Sequence, residues 1–206
     1  DANLVVGNGN TGMTGSNNAI TGDGNTGMTG SSNLVTGNGN LGIVTDDNNI
    51  FGDANAITVG GNNSVMGDEN QIAGASNVAI GYANTITGDE GIAIGNRNDT
   101  TGGNVTIGND LVISSGGTGN AILGGTGNEI QGGDNNAILG GLNNTISGNA
   151  NANQVSGTSN EIGTDGAGPA DNNDVSGELN SILDGNRNDV SGYENTLVGG
   201  SNDNNV

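Results

Sequence analysis

One short unit, N-x-(V/I)-x-G, recurs along almost the whole chain and limits what it can fold into. Within Gly119–Gly148 it appears four times in succession, centred on Ile122, Ile130, Ile138 and Ile146. The same unit stands at Asn3-Leu4-Val5, Asn18-Ala19-Ile20, Asn33-Leu34-Val35, Asn63-Ser64-Val65, Asn84-Thr85-Ile86, Asn153-Gln154-Val155 and Asn188-Asp189-Val190. Units follow one another every seven or eight residues, so a pair spans about fifteen. Self-similarity at so short a period signals a solenoid, in which each repeat buries its apolar face only against its neighbours.

Residues 1–60 alternate two kinds of unit. The compact kind is Asn18-Ala19-Ile20-Thr21-Gly22; the other carries one extra residue, as in Asn10-Thr11-Gly12-Met13-Thr14-Gly15 and Asn25-Thr26-Gly27-Met28-Thr29-Gly30. Two kinds in alternation imply two faces per coil, each made by one short strand. Side chains alternate along a strand, which puts Asn and Val/Ile inside and the residues flanking Val/Ile outside. Gly, with Asn, Asp and Ser beside it, supplies the corners. Inward Asn residues of successive coils can stack as an amide ladder. The expected fold is all-β, a parallel β-solenoid (β-roll or β-helix) of about 14 coils of 14–16 residues with two main faces. It forms a single domain over 1–206, with a bulge near 109–118 and a loop excursion near 163–170 around the sole proline, Pro169.

Composition narrows function. Gly accounts for 43 of the 206 residues and aromatics for 1 %, so there is little bulk for an ordinary globular core. The net charge is −20, with Arg97 and Arg187 the sole basic residues. That excludes phosphate neutralisation, and with it nucleic acid. It equally disfavours an anionic membrane surface, and no apolar run approaches the roughly 18 residues of a membrane helix. Lacking Cys and His, the chain has no thiol or imidazole chemistry and no zinc, haem or iron–sulfur ligands. The Asp1 start suits a processed, secreted product, so an extracellular location is expected.

Acid–base chemistry would have to come from carboxylates. Asp23, Asp46, Asp47, Asp53, Asp68, Glu69, Asp89, Glu90 and Glu178 fall at corners, where they serve as solvated turn formers. A thin coil offers no cleft for a carboxylate pair, so no catalytic residue and no enzyme activity are expected. Gly124–Gly141 is similar to the calcium-binding nonapeptide repeat. Its unit is eight residues, however, with Ala121, Glu129 and Ala137 where the ligand Asp belongs. No cofactor or metal site is expected, and calcium at corner carboxylates is the one ion chemistry left open.

Two residue patterns carry candidate surfaces. Thr11, Thr14, Thr26, Thr29, Thr58, Thr85, Thr87, Thr101 and Thr145, with Ser147, are outward by the alternation and fall on the face of the second unit kind. Thr is also simply a good β former. In Asn77–Gly81, Gly91–Gly95 and Asn104–Gly108 a small residue stands where Val or Ile belongs. Either these strands reverse which side faces inward, or Val78, Ile80, Ile92, Ile94, Val105, Ile107, Leu123 and Leu139 form an exposed apolar stripe. A continuous stripe would be a contact surface.

The N-x-V-x-G unit, paired into coils and matched about eighteen times, resembles the ryegrass-type ice-binding proteins, β-rolls with inward Asn and Val. The resemblance implies adsorption to ice through one flat face rich in T-x-T pairs. Thr85-Ile86-Thr87 and Thr145-Ile146-Ser147 fit that pattern, and Thr11/Thr14 and Thr26/Thr29 reach it through a bulge. Asp99, Glu129, Gln131 and Glu161 put charge or bulk on the same face. Asn77–Gly81 (NVAIG) and Gly91–Gly95 (GIAIG) instead resemble the head repeats of trimeric autotransporter adhesins. That likeness implies an extracellular adhesin or self-assembling repeat, a homo-oligomer joined through the apolar stripe. Ice is the expected partner on the first resemblance, a second copy or host surface on the other.

Overall fold

A computed structural model describes residues 2–114, 117–163, 170–198 and 202–206. Its contacts divide the chain into two units, 1–97 and 98–206. Among the described residues each is a stack of parallel strands in two sheets, with no helix.

In the first unit the compact repeats build one sheet, here sheet A, from Leu4–Val6, Ala19–Thr21, Leu34–Thr36, Asn49–Phe51, Ser64–Asp68, Val78–Tyr82 and Ile92–Asn96. The longer repeats build sheet B. Its strands are Ala56–Val59, Gln71–Ala73 and Thr85–Thr87, continued by the parallel bridges Thr11↔Thr26↔Leu41↔Ala56. Ile20, Val35, Ile50 and Val65 of sheet A meet Met28, Ile43, Ile57, Ile72 and Ile86 of sheet B, all essentially inaccessible. Each such side chain contributes roughly 1.5–3 kcal/mol of burial.

The second unit repeats the plan. Sheet A runs through Val105–Asn109, Ala121–Thr126, Ala137–Ile138, Gln154–Val155, Asp174–Glu178 and Asp189–Tyr193. Sheet B runs through Asp99–Thr101, Val112–Ser114, Glu129–Gln131, Thr145–Ser147, Glu161–Gly163, Ser181–Leu183 and Thr196–Val198. Ile122, Ile138, Val155, Val175 and Val190 pack against Ile113, Ile130, Ile146, Ile162 and Ile182. The coil at its start has Thr on both inner rows, and the Thr100 and Thr106 hydroxyls pair at 2.6 Å.

The Asn ladders form as the alternation requires. The backbone N–H of Asn40 donates to Asn25 Oδ1 at 3.0 Å. Its Nδ2 donates to the same oxygen at 3.0 Å and to the Gly52 carbonyl at 2.9 Å. Asn18, Asn33, Asn48 and Asn63 repeat the arrangement on the other edge. Among the described residues, no buried side-chain nitrogen or oxygen lacks a partner. Two rungs depart from Asn: Gly91 and Leu111 offer their backbone N–H to Asn77 and Asn98, at 2.7 and 3.1 Å, and return no amide.

Corners are fixed by close approach. Gly37 has φ 140°, and a Cβ built there would lie 1.9 Å from the Gly52 carbonyl oxygen. Beside it runs a ladder that the reading of corner acids as merely solvated does not anticipate. The backbone N–H groups of Asn8, Asp23, Asn38 and Asp53 donate to the Oδ1 atoms of Asp23, Asn38, Asp53 and Asp68, at 2.6, 2.8, 2.7 and 2.8 Å. These corner side chains join coil to coil.

Over the described residues the coil makes about 12 turns, slightly fewer than the expected 14, and several coils of the second unit are longer. Ladder steps of 15 and then 14 residues in the first unit become 16 from Asn120 to Asn136, 17 to Asn153 and 20 to Asn173. The 20-residue step contains the 163–170 stretch, of which 164–169 lie outside the described residues. Near 109–118, residues 115 and 116 are likewise outside, and Val112–Ser114 is an ordinary strand. The register shift here falls between Ile107 and Asn109.

Candidate functional site

The ten Thr/Ser candidates all lie on or beside sheet B, seven in the first unit and three in the second. In the first unit the outward rows are Thr11, Thr26, Leu41, Ala56, Gln71, Thr85 on one side of the core residue and Thr14, Thr29, Val44, Val59, Ala73, Thr87 on the other. No charged side chain occurs in either row. Neighbours along a row are ~4.8 Å apart and the two rows ~6.8 Å apart, the strand spacing and two strand rises. The extra residue in the first coils is Gly12 or Gly27, both at φ 74°, which lets Met13 and Met28 take the core position while Thr14 and Thr29 return to the surface. Thr58 sits in a bulge, where Val59 rather than Thr58 pairs with Ala73. With the small Ala56 and Ala73 it borders a shallow depression of about 160 Å³ that Gln71, Thr85 and Thr87 complete.

The second unit differs. Its equivalent row reads Asp99, Val112, Glu129, Thr145, Glu161, Ser181 in register. Thr145 is therefore flanked by two carboxylates, and Ser147 follows Gln131. Thr101 turns its hydroxyl to the Ile113 carbonyl at 3.2 Å and accepts Asn104 Nδ2 at 3.1 Å.

The apolar stripe lies on sheet A, so the two candidate sets occupy different sheets. Local strand reversal is ruled out: Ala79 and Ala93 are 0 % exposed in the core row, and Val78, Ile80, Ile92 and Ile94 face outward, half-buried. Val78 pairs with Ile92 and Ile80 with Ile94. In the second unit Val105 is half-buried and outward, with Ile107, Leu123 and Leu139 exposed. Reading the stripe from 78 onward misses its earlier part. In register below it stand Ser64/Met66, Asn49/Phe51, Leu34/Thr36 and Ala19/Thr21. The recurrent unit carried that signal, since the positions flanking each core Val or Ile were already placed outward.

Tyr82 donates to Glu69 Oε2 at 2.8 Å, and that bond and the carboxylate's charge raise the phenol's pKa while nearby Arg97 opposes the rise. Arg187 grips Asp203 with Nε–Oδ1 at 2.6 Å, which holds the guanidinium's pKa up and the carboxyl's down. Both arrangements are exposed corner contacts. Among the described residues no three carboxylates converge as a metal-ligand set, and no helix is long and apolar enough to cross a membrane.

Residues 20–116 match the family described as the grass antifreeze beta roll. No curated protein matches the chain. The matched stretch contains Thr26, Thr29, Thr58, Thr85, Thr87 and Thr101 on sheet B, and the stripe from Val78 to Ile107 on sheet A. The family is one of structural ice-binding proteins rather than enzymes. Over residues 20–116 the parallel two-sheet coil, with its inward Asn and aliphatic rows, is thus similar to the grass antifreeze beta roll.

Proposed function

We propose that this chain, secreted to the cell exterior, adsorbs to ice through sheet B of its first unit. The observation that carries the reading is the pair of charge-free outward rows, with Thr11/Thr14 stacked on Thr26/Thr29 at one end and Thr85/Thr87 at the other. β-Branched Thr is stiff at χ1, so its methyl and hydroxyl are held at the strand and coil spacings. Without charges the face gives up little hydration on contact. The Asn ladders and the aliphatic core keep it rigid, so adsorption orders few side chains. Molecules held on the front force ice to grow between them as curved surfaces, which slows growth and recrystallisation.

A second reading, self-assembly or adhesion through sheet A, is favoured by the in-register Val78, Ile80, Ile92 and Ile94. The two separate by mutation. Thr85→Tyr raises a ring above the Thr face and is expected to abolish ice shaping at unchanged melting temperature, with the chain monomeric in sedimentation. Ile92→Asp is expected to leave ice activity intact. Full activity in Thr85→Tyr, together with an oligomer that Ile92→Asp dissolves, overturns the ice-face reading.

A further inference from the structure

Four positions carry the N-x-[S/T] pattern of an N-glycan acceptor: Asn62-Asn63-Ser64, Asn98-Asp99-Thr100, Asn104-Val105-Thr106 and Asn143-Asn144-Thr145. The fold divides them into two pairs. Asn98 and Asn104 are rungs of the ladders, 1 % and 0 % exposed. Their Nδ2 atoms, the atoms a sugar would join, donate to Gly108 O at 3.0 Å and to Gly117 O at 2.8 Å. The hydroxyls of the same two sequons belong to Thr100 and Thr106, which bond each other in the core. A glycan on either Asn leaves no room for the next coil.

Asn62 and Asn143 stand instead at corners, exposed, in the left-handed conformation at φ 61° and 53°. Their backbones are anchored, Asn62 N–H to Asp46 O and Asn143 N–H to Thr126 O, both at 3.2 Å. Their side-chain amides are unbonded among the described residues. Ser64 and Thr145 lie two residues on, at outward, half-buried strand positions. We infer that Asn62 and Asn143 are the N-glycan acceptors of this chain when it is made through a eukaryotic secretory route. The donor is a lipid-pyrophosphate-linked oligosaccharide. A bond forms between Asn Nδ2 and C1 of the first sugar, the C1–O bond to the pyrophosphate breaks, the lipid pyrophosphate leaves, and Nδ2 gives up one proton. Both acceptors are at corners, so the sugars project beside the sheets.

The test is to secrete the chain from eukaryotic cells with a C-terminal peptide bearing a separately verified acceptor sequon, whose occupancy qualifies the preparation. Glycans are released enzymatically from the folded protein in ¹⁸O water, which converts each occupied Asn to labelled Asp, and the peptides are mapped. Label at Asn62 and Asn143, with Asn98 and Asn104 unlabelled, is expected; Asn62→Gln and Asn143→Gln each remove one glycan mass. An occupied reporter with Asn62 and Asn143 both bare overturns the inference, as does label at Asn98 or Asn104 in folded protein.

Discussion

Asn40→Ala isolates what one rung of the ladder contributes. Asn40 is fully buried, and its Oδ1 accepts the backbone N–H of Asn55 at 2.9 Å while its Nδ2 serves the Gly52 carbonyl at 2.9 Å. Truncation removes the partner of both backbone groups. The other partners survive: Asn25 Oδ1 keeps the Asn40 N–H, and Asn55 Nδ2 keeps the Gly67 carbonyl at 2.7 Å. Two orphaned buried groups at about 1–3 kcal/mol each give a loss of about 2–6 kcal/mol. That is comparable with the roughly 2–5 kcal/mol expected for Ile57→Ala, which opens a cavity in the apolar row. Leu41→Ala, on the neighbouring exposed position, should stay within about 0.5 kcal/mol. Urea unfolding followed by circular dichroism gives the three values. Because a coil touches only its neighbours, the loss should be local, so hydrogen exchange should show the Asn55 amide deprotected ahead of distant coils. A cost below about 1 kcal/mol with unchanged Asn55 exchange would refute the premise that unmet backbone groups, and not packing alone, make Asn necessary there.

Gly37→Ala and Gly24→Ala should diverge, since Gly24 (φ 67°) has no neighbour within 4 Å of a new Cβ whereas Gly37 meets the Gly52 carbonyl; thermal melts should show Gly24→Ala losing about 1–2 kcal/mol and Gly37→Ala failing to fold. Thr106→Val strands the Thr100 hydroxyl and should cost about 1–3 kcal/mol, while Thr100→Val with Thr106→Val should cost less than the two singles together; a double-mutant cycle by urea unfolding reads the difference. Asp203 has its pKa lowered by Arg187. Its contribution is therefore present above the unfolded carboxylate pKa and lost as pH falls through the folded one, so exchange protection of the Arg187 amide should fade only in strong acid, and Asp203→Asn should abolish that dependence.

The period made the coil legible because one chemical demand recurs in each turn: an amide beside an aliphatic side chain, with Gly at the corner. Asn33, Val35 and Gly37 answer it in one coil, and the placement of every Thr candidate on or beside sheet B follows from their alternation. What escaped has physical causes. Gly91 and Leu111 stand in ladder positions because a rung needs only a backbone N–H to donate to the Asn oxygen of the coil before it, so side-chain identity there is not fixed by the period. Ala79 and Ala93 keep the inward position because Val78 and Ile80 can extend the outward stripe, which makes the same letters compatible with reversal until burial is known. The corner bonds from Asn8 to Asp68 depend on an oxygen that Asn and Asp share, so sequence shows a mixture of charges where the fold uses one acceptor. The coil count comes out slightly lower than expected because some corners lengthen without disturbing the strands they join.

Those unequal corners have a mechanical consequence. The bonds between coils lie along the stacking direction, so tension on the chain ends loads them one coil at a time, in peeling rather than in shear. Each 15-residue step, such as Asn25 to Asn40, should release about 45–50 Å of contour, a fully extended coil less one strand spacing. The 20-residue step from Asn153 to Asn173 should release about 60–65 Å on the same reckoning. A force–extension trace is thereby a ruler on which irregular coils register as longer intervals among even ones.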